Sequence, residues 1–195
     1  MDYPVELNFK KIALARQATL TDASGNSIAY ARQKIFKLKE ALEVFDDKTK
    51  SKRVCTIKAN KVIDFTASYS FFTENEQSFG SIQRKGFRSL WKATYLLNEA
   101  NGNQYATIKE EKPFAKVIDS FLGELPFVGL VCNYIFNPSY ILTSEDGTEL
   151  FRLTKAPSFW GVLFKIDKLT DITPDDEIRC MMSLLMMVFL EKSRG

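Results

Sequence analysis

The stretch Thr173-Pro-Asp-Asp-Glu-Ile-Arg-Cys-Met-Met-Ser-Leu-Leu-Met-Met-Val-Phe-Leu-Glu191 decides how the rest of the chain is read. It opens on helix signals: Thr173 can cap, Pro174 suits the first helical position, and Asp175, Asp176 and Glu177 complement the helix dipole. From Cys180 to Leu190 only Ser183 is polar, so large apolar side chains cover every side of the helix. A helix without a wettable face belongs inside a protein or a membrane. A membrane span needs about 20 apolar residues, and Arg179 and Glu191 bound this run too closely. The expectation is a central helix over 174–191, enclosed by the rest of its own domain.

What encloses it is written in the turns. Thr19-Leu-Thr-Asp-Ala-Ser-Gly25-Asn-Ser-Ile-Ala aligns without gaps on Leu96-Leu-Asn-Glu-Ala-Asn-Gly102-Asn-Gln-Tyr-Ala and on Ile141-Leu-Thr-Ser-Glu-Asp-Gly147-Thr-Glu-Leu-Phe. Each is an apolar-rich run, a polar turn with glycine at the same place, and a second run, which is a β-hairpin. Further hairpins turn around Lys48 and Asn75. Turns spaced roughly 25 residues apart suggest a closed antiparallel sheet. Period-two alternation supports the strands: Ile63, Phe65, Ala67, Tyr69 and Phe71 oppose Asp64, Thr66, Ser68 and Ser70. Trp91, Ala93, Tyr95 and Leu97 oppose Lys92 and Thr94, and Trp160, Val162, Phe164 and Ile166 oppose Lys165 and Asp167. Between the last two glycine turns, Phe114, Val117, Ile118, Phe121 and Leu122 recur at helical spacing, predicting an inserted amphipathic helix over 113–123. The run from Phe127 to Phe136 reads as a strand buried on both faces. Roughly eight strands already close on a packed interior, so a barrel of about ten to twelve needs something apolar in its lumen. The terminal helix fits that place, and its Met181, Met182, Met186 and Met187 suit a tapering cavity; the alternative is a helix packed flat on a sheet and covered by the second helix. The fold class is therefore mainly β: a closed antiparallel barrel around a hydrophobic C-terminal helix, in one domain spanning 1–195.

Composition narrows the function. With 195 residues, 45% hydrophobic and 16 Phe, the chain can build a substantial core. It has no histidine, which removes Ser-His-Asp and Cys-His catalysis and histidine metal sites. Cys55, Cys132 and Cys180 are far apart in apolar surroundings and read as buried free thiols in a reducing compartment. The N-terminal residues have neither the basic head nor the apolar run of a signal peptide, which predicts a cytoplasmic protein. No phosphate loop, GxSxG or HExxH is present, and Glu110-Glu111 and Asp46-Asp47 are consecutive, so their side chains diverge on a strand. Asp175-Asp176-Glu177 lacks the spacing of a calcium loop. The reading is a non-enzymatic protein without metal or cofactor. A net charge of +3 permits an anionic partner but is weak for nucleic acid.

Thr21-Asp-Ala-Ser-Gly-Asn26, Gln33-Lys-Ile-Phe-Lys-Leu-Lys-Glu40, Arg84-Lys-Gly-Phe-Arg-Ser-Leu-Trp-Lys92, Ile108-Lys-Glu-Glu-Lys-Pro113 and the terminal Leu184–Gly195 together carry a resemblance. In these motifs the chain resembles the LURP-one-related family of the tubby C-terminal-like superfamily, which includes the phospholipid scramblases. The resemblance implies a twelve-stranded antiparallel barrel around a central helix; it does not imply an enzyme. Tubby-type domains bind phosphoinositides through basic side chains on the barrel and scramblases act on membrane phospholipids, while the LURP-one-related branch has no settled biochemical role.

The stretch Gln83–Lys92 is the candidate ligand-binding site. Arg84, Lys85, Arg88 and Lys92 place cations around Gly86, while Phe87 and Trp91 offer aromatic surface for a headgroup boundary. The competing reading is a solvated strand connection with Trp91 in the core. Lys34, Lys37 and Lys39 alternate like the wet face of a strand, and Lys48, Lys50, Lys52 and Arg53 crowd a hairpin tip, where lysines keep edges soluble. The function expected is a binding module for anionic phospholipid headgroups or phosphorylated ligands at a membrane surface. The alternative is a protein–protein interaction domain.

Overall fold

The computed structural model describes residues 1–12, 15–33, 41–60, 68–85, 94–111, 138–158 and 161–192. Twelve strands run in chain order: β1 (Val5–Ile12), β2 (Ala15–Thr21), β3 (Ser27–Gln33), β4 (Ala41–Phe45), β5 (Arg53–Ala59) and β6 (Ser68–Phe72). They continue as β7 (Ser78–Lys85), β8 (Thr94–Asn98), β9 (Gln104–Glu110), β10 (Ser139–Ser144), β11 (Glu149–Ala156) and β12 (Val162–Lys168). The helix α1 (Pro174–Lys192) follows. Each strand pairs antiparallel with the next, and β12 returns to β1 through Val5–Ile166 and Phe9–Val162, so the sheet closes as a barrel.

The expected hairpins are present, and four of their five turns share one frame. In the turn at 22–26 the Asp22 amide donates to the Asn26 carbonyl (3.0 Å) and the Gly25 amide to the Asp22 carbonyl (3.0 Å). The same pair of bonds closes 99–103 and 144–148, with Gly25, Gly102 and Gly147 at φ 86, 88 and 91°. These are left-handed positions at which a Cβ costs energy, hence the aligned glycines. The turn at 73–77 has the same bonds, yet Glu76 occupies the left-handed place at φ 58°.

Strand alternation sends one face inward. Leu42, Ile57, Phe71 and Gly80 lie in one register row across four strands, and Ile108, Leu142 and Phe151 in another. All of these but Gly80 bury their side chains with those of α1 in a single apolar core. The parts of the Tyr69–Phe71, Tyr95–Leu97 and Phe164–Ile166 alternations that are described face inward as expected.

Within the lumen α1 is buried from Cys180 to Phe189 on all sides. Its polar Ser183 returns its hydroxyl to the Arg179 carbonyl (2.9 Å), which removes the cost of an unpaired buried group. Thr173 caps as expected: its Oγ1 accepts from the Asp176 amide (3.3 Å) and its hydroxyl donates to Asp176 Oδ2 (2.7 Å). Among the described residues no helix is long and apolar enough to cross a membrane. Cys55 and Cys180 are free and buried. The helix expected at 113–123, the strand expected at 127–136, Cys132, and Lys34, Lys37 and Lys39 lie outside the described residues.

Candidate anion-binding site

The helix fills the lumen, which leaves the outer wall as the surface open to a ligand. Alternation puts Val5, Leu7 and Phe9 of β1 in the core and leaves Asn8 and Lys10 outside. Register sets Asn8 beside Thr19, Thr19 beside Tyr30, and Lys10 beside Gln17. These outward residues floor a half-open groove of about 320 Å³, which Lys48 and Lys50 of the β4–β5 hairpin tip complete. Tyr30 points outward like its row-mates, yet it is only 6% exposed. The Phe45 ring lies 6.4 Å away and the Lys50 ammonium sits 5.8 Å from its ring centroid. Burial pushes the Tyr30 phenol above its ordinary pKa, with Arg32 pulling the other way.

The hairpin tip folds around its own carboxylates. Asp46 Oδ1 accepts from the Asp47 amide (2.9 Å), and the Asp46 amide donates to the Lys52 carbonyl (3.1 Å). Asp47 Oδ1 accepts from both the amide (2.8 Å) and the hydroxyl (2.6 Å) of Thr49. These bonds hold the Asp47 carboxyl below its usual pKa. Lys50 then takes a left-handed φ of 62°. Both acids are thus occupied with backbone and hydroxyl partners. Lys10, Lys48 and Lys50 form no ion pair with a described carboxylate, whereas Arg53 on the same hairpin pairs with Glu43 at 3.9 Å. Three exposed ammoniums around one concavity attract an anion, and the Asp46 and Asp47 carboxylates of the same tip offset part of their charge without pairing with them.

Of the site residues expected from sequence, Arg84 and Lys85 are described. Arg84 and Lys85 are neighbours on β7, so they go to opposite faces. Arg84 follows the inward Ile82 and pairs with Tyr95, which is fully buried; its Nε is buried and meets no hydrogen-bond acceptor among the described residues. Lys85 is exposed at the strand end. Arg88, Trp91 and Lys92 lie outside the described residues. Arg84 joins an inward polar layer at the barrel mouth where α1 ends. There the Tyr95 hydroxyl donates to Glu191, and Glu110 stands beside Tyr140 in register. Burial raises the pKa of Tyr95, Tyr140 and Glu110, and the Glu191 carboxylate adds to each shift. Burial, with Lys155 nearby, lowers that of Lys192.

Of the groove, the sequence singles out only Lys48 and Lys50, as a solubilising hairpin tip, and not Asn8, Lys10, Gln17, Thr19 or Tyr30. No local motif distinguishes these five; only the barrel register collects them. The described cysteines offer no thiolate chemistry, since burial pushes both thiols up to about 12. Among the described residues no cluster of metal-ligating side chains occurs. Fold and groove together define a helix-plugged, up-and-down β-barrel with a cationic cleft on its outer wall. No protein-family model and no curated protein matches the chain.

Proposed function

We propose that the protein is a non-enzymatic binding module for anionic, phosphate-bearing ligands, acting in the cytoplasm and peripherally at membrane surfaces. The observation that carries this reading is the groove in which Lys10, Lys48 and Lys50 converge without a described carboxylate partner. A plugged lumen supports it as well, because the space other barrels use for ligands is filled here by α1. The resemblance to LURP-one-related and tubby-like domains supports the same ligand class: those folds also place a barrel around a helix. Arg84, Lys85, Arg88, Trp91 and Lys92 stay in the proposal as a second candidate ligand-binding stretch. Arg84 itself contributes at the mouth.

Co-sedimentation with phosphatidylcholine vesicles containing an anionic lipid tests the reading. Wild-type protein is expected to bind and to be released as salt rises, because exposed charges are screened. The variant K10E/K48E/K50E is expected to lose at least tenfold in affinity, about 1.4 kcal/mol, while keeping its circular dichroism. Undiminished binding by this folded variant overturns the groove as the site. Salt-insensitive capture of a protein partner in its place would favour the interaction-domain alternative.

A further inference from the structure

We propose that the β4–β5 hairpin tip is a preset clamp in which Asp47 positions Lys48 and Lys50 opposite Lys10 to hold a phosphomonoester group; this rests on the anion-binding reading above. A carboxylate beside a cationic site ordinarily weakens anion binding by opposing charge. Asp47 is used otherwise. Its Oδ1 takes the Thr49 amide at 2.8 Å and the Thr49 hydroxyl at 2.6 Å, and its carbonyl takes the Lys50 amide at 3.3 Å. That local ring of bonds is a side-chain-stabilised turn. It leaves Lys50 at φ 62°, and the Lys50 side chain returns over the Tyr30 ring, 5.8 Å from its centroid. Without it a non-glycine residue in the left-handed region relaxes to a commoner conformation, and the lysine leaves the groove. The tip is thus ordered before a ligand arrives, which lowers the entropy cost of binding.

The charge count indicates the ligand. Three ammoniums from two separate elements line a concavity of about 320 Å³, near the lower end for ligand pockets. That space suits a single compact headgroup. A phosphomonoester carries about −1.5 to −2 at pH 7, so it engages more of the three cations than a singly charged phosphodiester does.

The test uses the full chain and two vesicle types at equal mole fraction, one with phosphatidic acid and one with phosphatidylglycerol. Wild type is expected to favour phosphatidic acid severalfold; equal affinity overturns the phosphomonoester assignment. Free glycerol phosphate serves as competitor: displacement marks a soluble source of the group, and its failure marks a lipid surface as the source. Asp47→Asn keeps an acceptor at Oδ1 and removes a negative charge, so it is expected to bind phosphatidic acid vesicles as tightly as wild type or more so. Asp47→Ala removes the same charge but also the turn, and is expected to bind roughly threefold to tenfold more weakly, the equivalent of about one lost hydrogen bond. Simple electrostatics predicts the opposite sign for Asp47→Ala, so affinity equal to that of Asp47→Asn overturns the clamp. Thr49→Val, which keeps the amide bond to Asp47 and loses the hydroxyl one, is expected to fall between. It serves as readout if Asp47→Ala misfolds. Should K10E/K48E/K50E bind like wild type, the anion-binding reading fails; should it lose binding while Asp47→Ala does not, only the clamp fails.

Discussion

The two mouths of the barrel hold α1 in different ways. Where the helix begins, Lys168, Asp171, Asp176, Glu177 and Arg179 each have a named partner. The Tyr3 hydroxyl donates to Glu177 Oε1 (2.8 Å), and Lys168 Nζ reaches Glu177 Oε2 (3.0 Å) and Asp171 (3.2 Å). Arg179 pairs with Asp176, donates its Nε to the Phe79 carbonyl (2.9 Å) and stacks 5.2 Å from the Tyr105 ring centroid. Gly80 makes room for it, since a Cβ there would lie 3.1 Å from Arg179 Cγ and Cδ and 2.9 Å from the Asn98 carbonyl oxygen. Where the helix ends, the inward layer of Arg84, Tyr95, Glu110, Tyr140, Lys155, Glu191 and Lys192 mixes both signs at close quarters. One mouth is a latch of discrete pairs. The other is a desolvated polar lid, with acids pushed up and a lysine pushed down in pKa.

The most severe way to break this comparison is to remove the element that both mouths hold. Deleting residues 174–195 takes the apolar plug from a twelve-stranded lumen and leaves the inward faces of the strands unpaired. Each large apolar side chain loses about 1.5–3 kcal/mol of burial, against a total stability of about 5–15 kcal/mol for a domain. The truncated chain is expected to be insoluble or unfolded. A soluble monomer with unchanged circular dichroism would refute the plug. Next in size is the latch. Glu177→Ala strands the Tyr3 hydroxyl and takes one of two carboxylates from Lys168, a loss of about 1.5–3 kcal/mol for a hydrogen-bonded charge. Urea denaturation is expected to show a lower midpoint at unchanged slope. A shift within error would mean that the latch is ornamental and the helix is held by packing alone.

The latched mouth is also the one that sequence reads well. Its turns are tight, and glycine, asparagine and aspartate announce them where the backbone turns left-handed. Thr173 and Pro174 mark the helix start for the same local reason. Even here one turn escaped alignment with its three counterparts, because Glu76 stands where they carry glycine, its carboxylate bonded to Lys58 across the strand pair. At the lid mouth local rules mislead. Arg84, Glu110 and Lys155 look like the wet face of a strand, and period-two alternation counted from Ile82, Ile108 and Leu153 turns all three inward. A charged residue counted inward is tolerable only at a barrel's end, where helix-borne charges and tyrosine hydroxyls meet it. Nothing in the sequence marks where the barrel ends. The groove was opaque for a related reason: Lys10 and Lys50 are 40 positions apart in the chain, and only closure of β1–β3 beneath the hairpin tip brings them together.

The finest probe of the comparison is pH. Glu110 in the folded barrel has a pKa above its ordinary value of 4.5, first because it is desolvated and second because Glu191 is near. A carboxyl shifted upward binds its proton more tightly in the folded than in the unfolded state. Between the ordinary value and the raised one, the folded state therefore holds more protons, and stability falls as pH rises through that window. Above the window the penalty is constant. The groups facing Glu110 and Glu191 from the packed elements are Arg84, Tyr95, Tyr140, Lys155 and Lys192; the tyrosines stay protonated across this range, and burial and the Glu191 charge raise both. Glu110→Gln keeps the shape and removes the titration. Thermal melts from pH 4 to 8 are expected to show a smaller decline for the variant than for wild type, and a higher melting temperature at pH 7. Parallel curves for the two proteins would show that the lid is solvated enough to carry its charges without cost, and the contrast between the mouths would reduce to geometry.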